Sequence, residues 1–416
     1  MWDRVSCVPV YLPMRGVRVV EVAQFTYTPA AGAVLADWGA DVIKVEHAVM
    51  GDAQRGLTVG PSGWSEGRFH PIMEHPNRGK RSIGLALEHP DGRDVLYDVA
   101  RTCDVFVTNF LPDARRRLQI DIDDLRRVNN RIIYVRGSAF GAKGQEADKG
   151  GFDSSAFWAR TGAAHGVTPV DFDGMLGMPG PAYGDSIGGM TIAGAIASAL
   201  FARERTGEPA IVDVSLLSVG AWALGLAVDL SLATGEQWEP ASTGSTGMPS
   251  NPTIGPFRTS DGRFIYLAML QPGRYWADLC RHLDRTDLLD DPRCSTAELL
   301  MANAPQLAVE VAHAILSQPF AYWNERLRTL EGQWAPVQSS LELGHDRQLR
   351  ENGYIAVITD ADGRQRELVA NPVQFNEEPA TLTRAPQFAE HTDDILRELG
   401  RSDDEIIDLK ISGAVT

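Results

Sequence analysis

The order of apolar segments in this sequence predicts an α/β fold, with a parallel sheet covered by helices. Residues 17–22 (VRVVEV) and 41–46 (DVIKVE) are apolar runs rich in β-branched residues. Between them, 29–39 (PAAGAVLADWG) has small helix-forming residues after a proline. The same alternation of helix and strand then repeats as far as residue 141, which is the pattern of consecutive β-α-β units.

The later elements are expected in the following order. The sequence predicts a helix at 91–103, a strand at 104–110, a polar helix through 125–130, a strand at 131–141, a long helix from Asp185 to a Gly207 cap, and a strand at 211–217 that leads into another helix. Residues 235–256 are rich in Gly, Pro, Ser and Thr without periodicity, which indicates a long loop or a domain boundary. After it we expect a hairpin about Asp261-Gly262, helices at 275–283, 296–316 and 320–330, and two short amphipathic helices joined at Gly400.

The charge balance argues against nucleic-acid and membrane partners. The 416 residues include 39 Lys and Arg against 55 Asp and Glu, for a net charge of −16. An extended nucleic-acid surface or a polybasic membrane patch is therefore not expected, and an anionic ligand needs a local basic pocket. The longest stretch of small apolar residues, 188–202, is shorter than a bilayer span.

The cysteines and the first residues predict a cytoplasmic protein. Cys7, Cys103, Cys280 and Cys294 lack the density of a disulfide scaffold and the paired spacing of a zinc site, so we expect reduced thiols. The first residues, MWDRVSCVPVYLP, lack the uninterrupted apolar segment of a signal peptide.

The common short catalytic and cofactor motifs do not occur in the sequence. The turn after 17–22 offers only Gly32 in place of GxGxxG, and no Walker, HExxH, GxSxG or EF-hand pattern is present. The nine histidines show no metal-binding spacing. The residues alone therefore leave the chemistry open, and no metal is expected.

A series of segments, in matching order and spacing, carries a family resemblance from about Met14 to Val415. These are RGVRVVEVAQF, LADWGADVIKVEHAVMGDAQR, NRGKRSIGLAL, VTNFLPDARRRLQI, GSAFGAKG, GDSIGGMTIAGAIASALFARERTGEPAIVDVSLL, FRTSDGRFIYLA, APVQSSLEL and EHTDDILRELG. Together they resemble the family III CoA-transferases, which include formyl-CoA transferase, carnitine CoA-transferase and the α-methylacyl-CoA racemases.

The resemblance implies an architecture and a set of partners. It implies a Rossmann-like large domain built from 1–224 and a returning C-terminal segment, 331–416, with a smaller α+β domain at 225–330. It also implies an interlocked ring homodimer in which each chain threads the other. The substrates would be an acyl-CoA and a carboxylic acid, with coenzyme A carried as the thioester and no metal or redox cofactor.

The nucleophile that the resemblance implies is Asp185, in the segment YGDSIGG. It would attack the acyl-CoA carbonyl to form a mixed anhydride, which CoA thiolate converts to an aspartyl-CoA thioester. We expect a position at a helix N-terminus to keep this carboxylate ionised at neutral pH. The competing interpretation is that Asp185 is only an N-cap.

Residue by residue, the resemblance also implies the coenzyme A contacts. These are Gln24, Phe25, Thr26, His47, Asn109, Phe110 and Arg117, together with Gly244 and Gly247 in a glycine-containing loop, STGSTG, over the aspartyl intermediate. The chain departs from the family pattern at Thr26, where glutamine is common, at His47, where arginine is frequent, and at Glu88, where lysine is common. Arg115, Arg116 and Arg117 could equally form a solvated helix face.

Two other functions stay open. In a racemase, inversion at the α-carbon needs an acid and a base on opposite faces, and related racemases carry a His-Asp pair for this. Here the segment is GGFDSSAFW, with Phe152 at the histidine position and Asp153 interpreted as a loop or cap residue. Phe152, Phe157 and Trp158 could line an acyl pocket. The third function is a non-catalytic CoA-binding subunit of a hetero-oligomeric transferase.

Overall fold

The computed structural model describes residues 11–57, 66–239 and 251–416, which divide into two units. The first contains the described residues of Met1–Thr168, Asp173–Pro240 and Arg347–Thr416. The second contains those of Pro169–Phe172 and Ala241–Asp346.

A six-stranded parallel sheet forms the centre of the first unit. Its strands are β1 (Arg18–Val22), β2 (Asp41–His47), β3 (Arg81–Leu85), β4 (Val105–Thr108), β5 (Ile133–Ser138) and β6 (Ile211–Ser215). Their spatial order is β3-β2-β1-β4-β5-β6, and every neighbouring pair is parallel. This is the strand order of the Rossmann fold, in which ligands bind beyond the carboxyl ends of the strands where the order reverses. Here that point lies between β1 and β4.

Helices cover both faces of this sheet. Those of the first unit are α1 (Tyr27–Asp37), α2 (Pro71–Asn77), α3 (Pro90–Arg101), α4 (Pro112–Leu118), α5 (Ile122–Val128), α6 (Ala163–Val167), α7 (Tyr183–Thr206), α8 (Leu216–Ala223) and α9 (Gly225–Thr234). A short 3₁₀ turn, Ala53–Gly56, and a π-helical segment, Asp153–Ala159, complete this part of the chain. One apolar core joins α1 and α7 to the sheet, and a second joins α3 and α5 to its opposite face.

The second unit has an antiparallel sheet beside a group of helices. Its strands are β7 (Ile254–Arg258), β8 (Phe264–Ala268) and β9 (Trp334–Pro336), in the order β7-β8-β9. Its helices are α10 (Pro272–His282), α11 (Ala297–Ala302), α12 (Ala304–Leu316), α13 (Phe320–Arg326) and α14 (Ser340–Gly344), with 3₁₀ turns at Thr286–Leu289, Pro292–Cys294 and Leu327–Thr329. Aromatic and aliphatic side chains, including the fully buried Trp323, fill its separate core.

The C-terminal segment returns to the first unit. It contains α15 (Arg347–Glu351), the antiparallel pair β10 (Ile355–Thr359) and β11 (Gln365–Val369), and helices α16 (Thr392–Glu398) and α17 (Asp403–Ile411). Ile395, Leu396 and Ile406 from the last two helices join the core on the α3 side of the sheet. Gly400 between them has φ of +85°, a conformation that favours glycine.

The α7 helix is the longest in the described residues and packs closely on α1. A side chain at Gly189 would overlap Ala30, so the small residues of α7 let the two backbones approach. By length and composition alone, α7 could cross a membrane, and so could α8 and α9 taken as one bent pair. Core helices of globular proteins have the same property, and Ile192, Ala193 and Ile196 of α7 are fully buried here.

The predicted α/β class and parallel sheet are confirmed, with differences in individual elements. Strand β3 (RSIGL) was not predicted, because a short segment with Arg, Ser and Gly carries a weak apolar signal. The β10–β11 pair was not predicted either, since β11 (QRELV) is mostly polar, although β10 (IAVIT) is apolar. The helix expected at 296–316 is two helices that meet at Asn303, because Pro305 is compatible with the first turn of a helix but not with its interior. The long helix begins at Tyr183 rather than Asp185.

Candidate active site

A cavity of about 600 Å³ opens at the carboxyl ends of the strands, beside the point where the strand order reverses. Gln24 follows β1, Asn109 follows β4 and Ser138 ends β5, and all three line this cavity. Asp185, from the first turn of α7, lines it as well. The fold therefore brings chemically active side chains from separate β-α units to one place.

Side chains from distant segments hold the turn after β1. The Asn109 side chain accepts a hydrogen bond from the Gln24 backbone N–H (3.1 Å) and donates one to the Gln24 carbonyl (2.7 Å). The next residue, Phe25, has φ of +65°, which is strained for a residue with a side chain. Its N–H donates to Asp52 Oδ1 over 3.2 Å. These contacts fix Gln24 and Phe25 at the edge of the cavity.

The buried ion pair of Lys44 and Asp52 also holds the backbone of this turn. Lys44 Nζ lies 2.8 Å from Asp52 Oδ2 and donates a hydrogen bond to the Ala23 carbonyl over 3.0 Å, and both charged side chains are fully buried. Burial alone would lower the pKa of Lys44, but Asp52 and Glu21 outweigh it and raise that pKa, so the lysine stays charged. Removing one partner of such a pair would leave an uncompensated buried charge.

The position of Asp185 differs in two respects from the sequence expectation. Since α7 begins at Tyr183, with Ala182 as its N-cap residue, Asp185 lies inside the first turn and is not the N-cap. Burial, followed by the charge of Asp153, raises the pKa of Asp185 to about 7. We expect the helix terminus to keep this carboxylate ionised at neutral pH, but a pKa of about 7 leaves only part of it ionised there, because desolvation and a like charge outweigh the helix dipole.

Asp153 is a second carboxylate close to Asp185, although it is not among the lining residues described for the cavity. It opens the π-helical segment Asp153–Ala159 and is 7% exposed. Burial raises its pKa, while hydrogen bonds from backbone N–H groups, including those of Gly184 and Asp185, oppose that shift. The donors at the start of α7 are thus directed at Asp153. The resemblance places Asp153 in the segment that carries the His-Asp pair of related racemases, whereas the sequence alone favours a loop or cap residue there.

Aromatic side chains occupy two different environments near these carboxylates. Phe152 lines the cavity, is 59% exposed and packs edge-to-face on Phe25, with ring centroids 5.4 Å apart. Phe157 is instead a core residue, and its ring lies where a side chain on Gly184 would be. Trp158 packs against that core and donates its indole N–H to the Leu176 carbonyl over 2.9 Å. Of the three predicted aromatics, Phe152 alone is among the lining residues described for this cavity.

Three arginines, Arg115, Arg116 and Arg136, also line the cavity. Arg115 is buried and donates to the Phe110 carbonyl over 2.9 Å, whereas Arg116 is exposed and pairs with Asp113. Arg136 forms a two-pronged ion pair with Asp213, at 2.6 and 2.7 Å. These side chains supply the local positive charge that an anionic ligand needs in an acidic chain.

Five of the residues predicted from the sequence line the cavity, namely Gln24, Phe25, Asn109, Phe110 and Asp185. Thr26 is buried beside it and donates to Gln54 Oε1 over 2.9 Å. His47 lies at the end of β2, where its Nδ1 accepts from the backbone N–H of Val49 and Met50. Arg117 is exposed and lies outside the lining residues described for the cavity.

The remaining two predicted residues, Gly244 and Gly247, lie outside the described residues. From the basic run 115–117 the resemblance assigns Arg117 to the site, whereas Arg115 and Arg116 line the cavity. Tyr27 and Arg136 also line it and were not predicted, because no short motif marks them and only the packing of α1 on the sheet brings them together. Within residues 11–57, 66–239 and 251–416, no group of three or more His, Cys, Asp or Glu side chains is arranged to hold a metal ion.

Comparison with known proteins is consistent with this geometry. The chain is 28% identical to (R)-2-hydroxy-4-methylpentanoate CoA-transferase of Clostridioides difficile, covering 97% of this chain and 99% of that protein. It is 32% identical to succinate–glutarate CoA-transferase of Agrobacterium fabrum, covering 93% and 96%. Among solved structures, a CAIB/BAIF family protein from Brucella suis matches 94% of this chain and 100% of its own, with 27% identity and a TM-score of 0.77. The sequence profile of CoA-transferase family III matches residues 14–392, and the chain therefore belongs to that family.

Proposed function

We propose that this protein moves coenzyme A from an acyl-CoA thioester to a free carboxylic acid, with Asp185 as the covalent nucleophile. The observation that carries the proposal is a carboxylate with a pKa raised to about 7 that lines the same cavity as three arginines. A carboxylate with a raised pKa is more nucleophilic when ionised than an ordinary aspartate. At neutral pH a large fraction of Asp185 is in that form.

The proposed reaction proceeds by exchange of acyl groups on Asp185. Its carboxylate oxygen bonds to the thioester carbonyl carbon, the carbon–sulfur bond breaks, and CoA leaves as the thiolate. The thiolate then attacks the Asp185 carbonyl of the mixed anhydride, which releases the first acid and leaves an aspartyl-CoA thioester. The acceptor carboxylate and the thiolate repeat these steps in reverse. Because anhydride and thioester are both activated, water must be kept from the carbonyl carbons.

Different lining residues would recognise different parts of such a substrate. The exposed Arg116 and the Arg136–Asp213 pair suit a phosphate-bearing group, since guanidinium groups form charge-assisted hydrogen bonds to phosphate. Gln24 and Asn109 line the same cavity and offer amide donors and acceptors. The thioester would lie at Asp185 while the arginines hold the phosphates.

A panel of donors and acceptors tests the proposed transfer. Purified protein would be incubated with succinyl-CoA, cinnamoyl-CoA or butyryl-CoA and with dicarboxylic, 2-hydroxy or simple fatty acids, and new thioesters would be detected by mass spectrometry. The names of the relatives motivate the first two acid classes. Hydroxylamine added during turnover should form a hydroxamate on the peptide that contains Asp185. An adduct on Asp153 instead, or no CoA transfer across the panel, would contradict the proposal.

We further propose that the active form is a homodimer. The α9 helix buries none of its ten residues against the described part of the chain, although eight of the ten are apolar or small. Trp222 at the end of α8 and Leu226 and Leu232 of α9 are 87%, 77% and 79% exposed, so several large apolar side chains of these two helices face solvent in the monomer. A second copy of the chain would cover them. Light scattering should give twice the chain mass of 45.3 kDa, and a folded monomer would contradict the dimer.

A further inference from the structure

The Tyr27 ring lies in a slot between two glycines beside the cavity. A side chain at Gly188 of α7 would overlap the ring. One at Gly137 of β5 would overlap the Thr28 Oγ1 atom and would lie 3.2 Å from the Tyr27 Cε1 atom. Both positions therefore need glycine for a close approach to α1. Gly188 is three residues after Asp185, so the two lie on neighbouring parts of one helix face. The slot thus holds the tyrosine next to the nucleophilic carboxylate.

The Tyr27 hydroxyl has no hydrogen-bond partner among the described residues, although the side chain is only 6% exposed. Buried hydroxyls almost always have a partner, and leaving one without costs stability. Tyr27 lines the same cavity as Asp185, and burial together with the Asp185 charge raises the pKa of Tyr27. The phenol is therefore a protonated hydrogen-bond donor without a partner among the described residues, on a side chain that lines the cavity.

We propose that the Tyr27 hydroxyl is a catalytic hydrogen-bond donor to the carbonyl oxygen of the acyl group that Asp185 attacks. The inference rests on the proposed function, because it requires Asp185 to be the reacting carboxylate. As the Asp185 oxygen bonds to the carbonyl carbon, the carbonyl electron pair moves onto the oxygen, and the Tyr27 O–H donates to that oxyanion. When the carbonyl re-forms, the carbon–sulfur bond breaks and CoA thiolate leaves. The proton remains on Tyr27 throughout.

The alternative is that Tyr27 only fills space between α1, α7 and β5. A filler does not need its hydroxyl, and phenylalanine would occupy the same slot without leaving a polar group unpaired. Tyr134 provides the contrast, because it is fully buried and its hydroxyl donates to the Ile120 carbonyl over 2.8 Å. The Tyr134 hydroxyl thus stabilises the fold through a hydrogen bond, whereas the Tyr27 hydroxyl has no partner among the described residues and can donate to a substrate.

The test compares Tyr27→Phe with Tyr134→Phe in the full-length protein. Tyr27→Phe should lower kcat about 10²–10³-fold, the effect typical of losing one oxyanion donor, with CoA affinity unchanged. Its melting temperature should equal or exceed that of the wild type, because an unpaired buried hydroxyl is removed. Tyr134→Phe should show the opposite combination, with kcat retained and a lower melting temperature. A Tyr27→Phe protein with the wild-type kcat, or one that fails to fold, would overturn the inference.

A second measurement does not depend on turnover. Butyryl-CoA labelled with ¹³C at the thioester carbonyl would be bound to Asp185→Asn, and the carbonyl band recorded by infrared difference spectroscopy. Adding Tyr27→Phe should move that band to higher frequency, because a hydrogen bond to the carbonyl is lost, and an unmoved band would overturn the inference. Absence of thioester binding would contradict the proposed function and this inference with it. Transfer that Asp185→Asn abolishes but Tyr27→Phe leaves intact would overturn the inference alone.

Discussion

The acidic and the basic side chains at the cavity differ in how far their charges are neutralised. Asp185 lines the cavity and Asp153 lies beside it, and burial raises the pKa of both carboxylates. Arg136 and Arg116, which also line the cavity, are instead paired with Asp213 and Asp113. The two carboxylates are thus kept in an electrostatically costly state, as is common at reacting sites, whereas the arginines resemble those of an ordinary binding surface.

The largest expected effect is at Asp185. Asp185→Asn should reduce CoA transfer about 10⁴-fold or more, because an amide cannot act as the nucleophile. The folded state holds the Asp185 proton up to a pH of about 7, whereas the unfolded chain loses it near pH 4, so wild-type stability falls as pH rises between these values. Denaturant melts should therefore show the variant gaining stability relative to wild type from pH 4 to pH 8. An active variant would contradict the assignment.

The next prediction tests whether Asp153 raises the pKa of Asp185. Wild-type kcat/KM should fall as pH drops through about 7, because Asp185 becomes protonated. In Asp153→Asn this inflection should move to lower pH, since the charge that raises the Asp185 pKa is gone. Glu74→Gln is the matched control: burial raises the Glu74 pKa to about 7 as well, but this residue lies in a different pocket. An inflection that moves in the control, or stays fixed in Asp153→Asn, would contradict this reasoning.

A smaller effect is expected at Arg116, which lines the cavity. Arg116→Ala should weaken CoA binding about 10-fold, as for the loss of one exposed charge-assisted hydrogen bond. Arg117→Ala, one residue further along α4, should change it by less than about 2-fold because Arg117 lies outside the cavity lining. Isothermal titration with CoA measures both. A larger loss in Arg117→Ala would restore the contact that the family resemblance implies.

No effect at all is expected in a test for racemisation. Position 152 in the cavity lining is phenylalanine, which cannot accept or donate a proton. A chiral 2-methylacyl-CoA incubated with the protein in heavy water should therefore gain no α-deuterium by mass spectrometry. Rapid exchange would show that Asp153 and another group suffice, and would favour the racemase function.

The sequence predicted the fold class and those site residues that lie directly after strands or at the start of α7. Gln24 and Asn109 are of this kind, since the position of a residue beyond a parallel strand also gives its place in the fold. Tyr27 could not be found in this way, because its role depends on Gly137 and Gly188, which only the folded sheet and α7 bring to the same ring. The partial ionisation of Asp185 was not predicted for a related reason: its pKa depends on burial and on Asp153, 32 positions earlier.

The turn after β1 has a consequence for the order in which the protein assembles. Its residues lie in neither a helix nor a strand. Hydrogen bonds to Asn109, which follows β4, and to Asp52, which follows β2, hold them in place. The turn therefore reaches its native shape only after both neighbouring strands have joined β1. Its amide hydrogens at Gln24 and Phe25 should exchange with solvent as slowly as those inside the sheet, in contrast to ordinary loops. If this turn binds CoA as proposed, a partly folded chain would present no CoA site to compete for ligand.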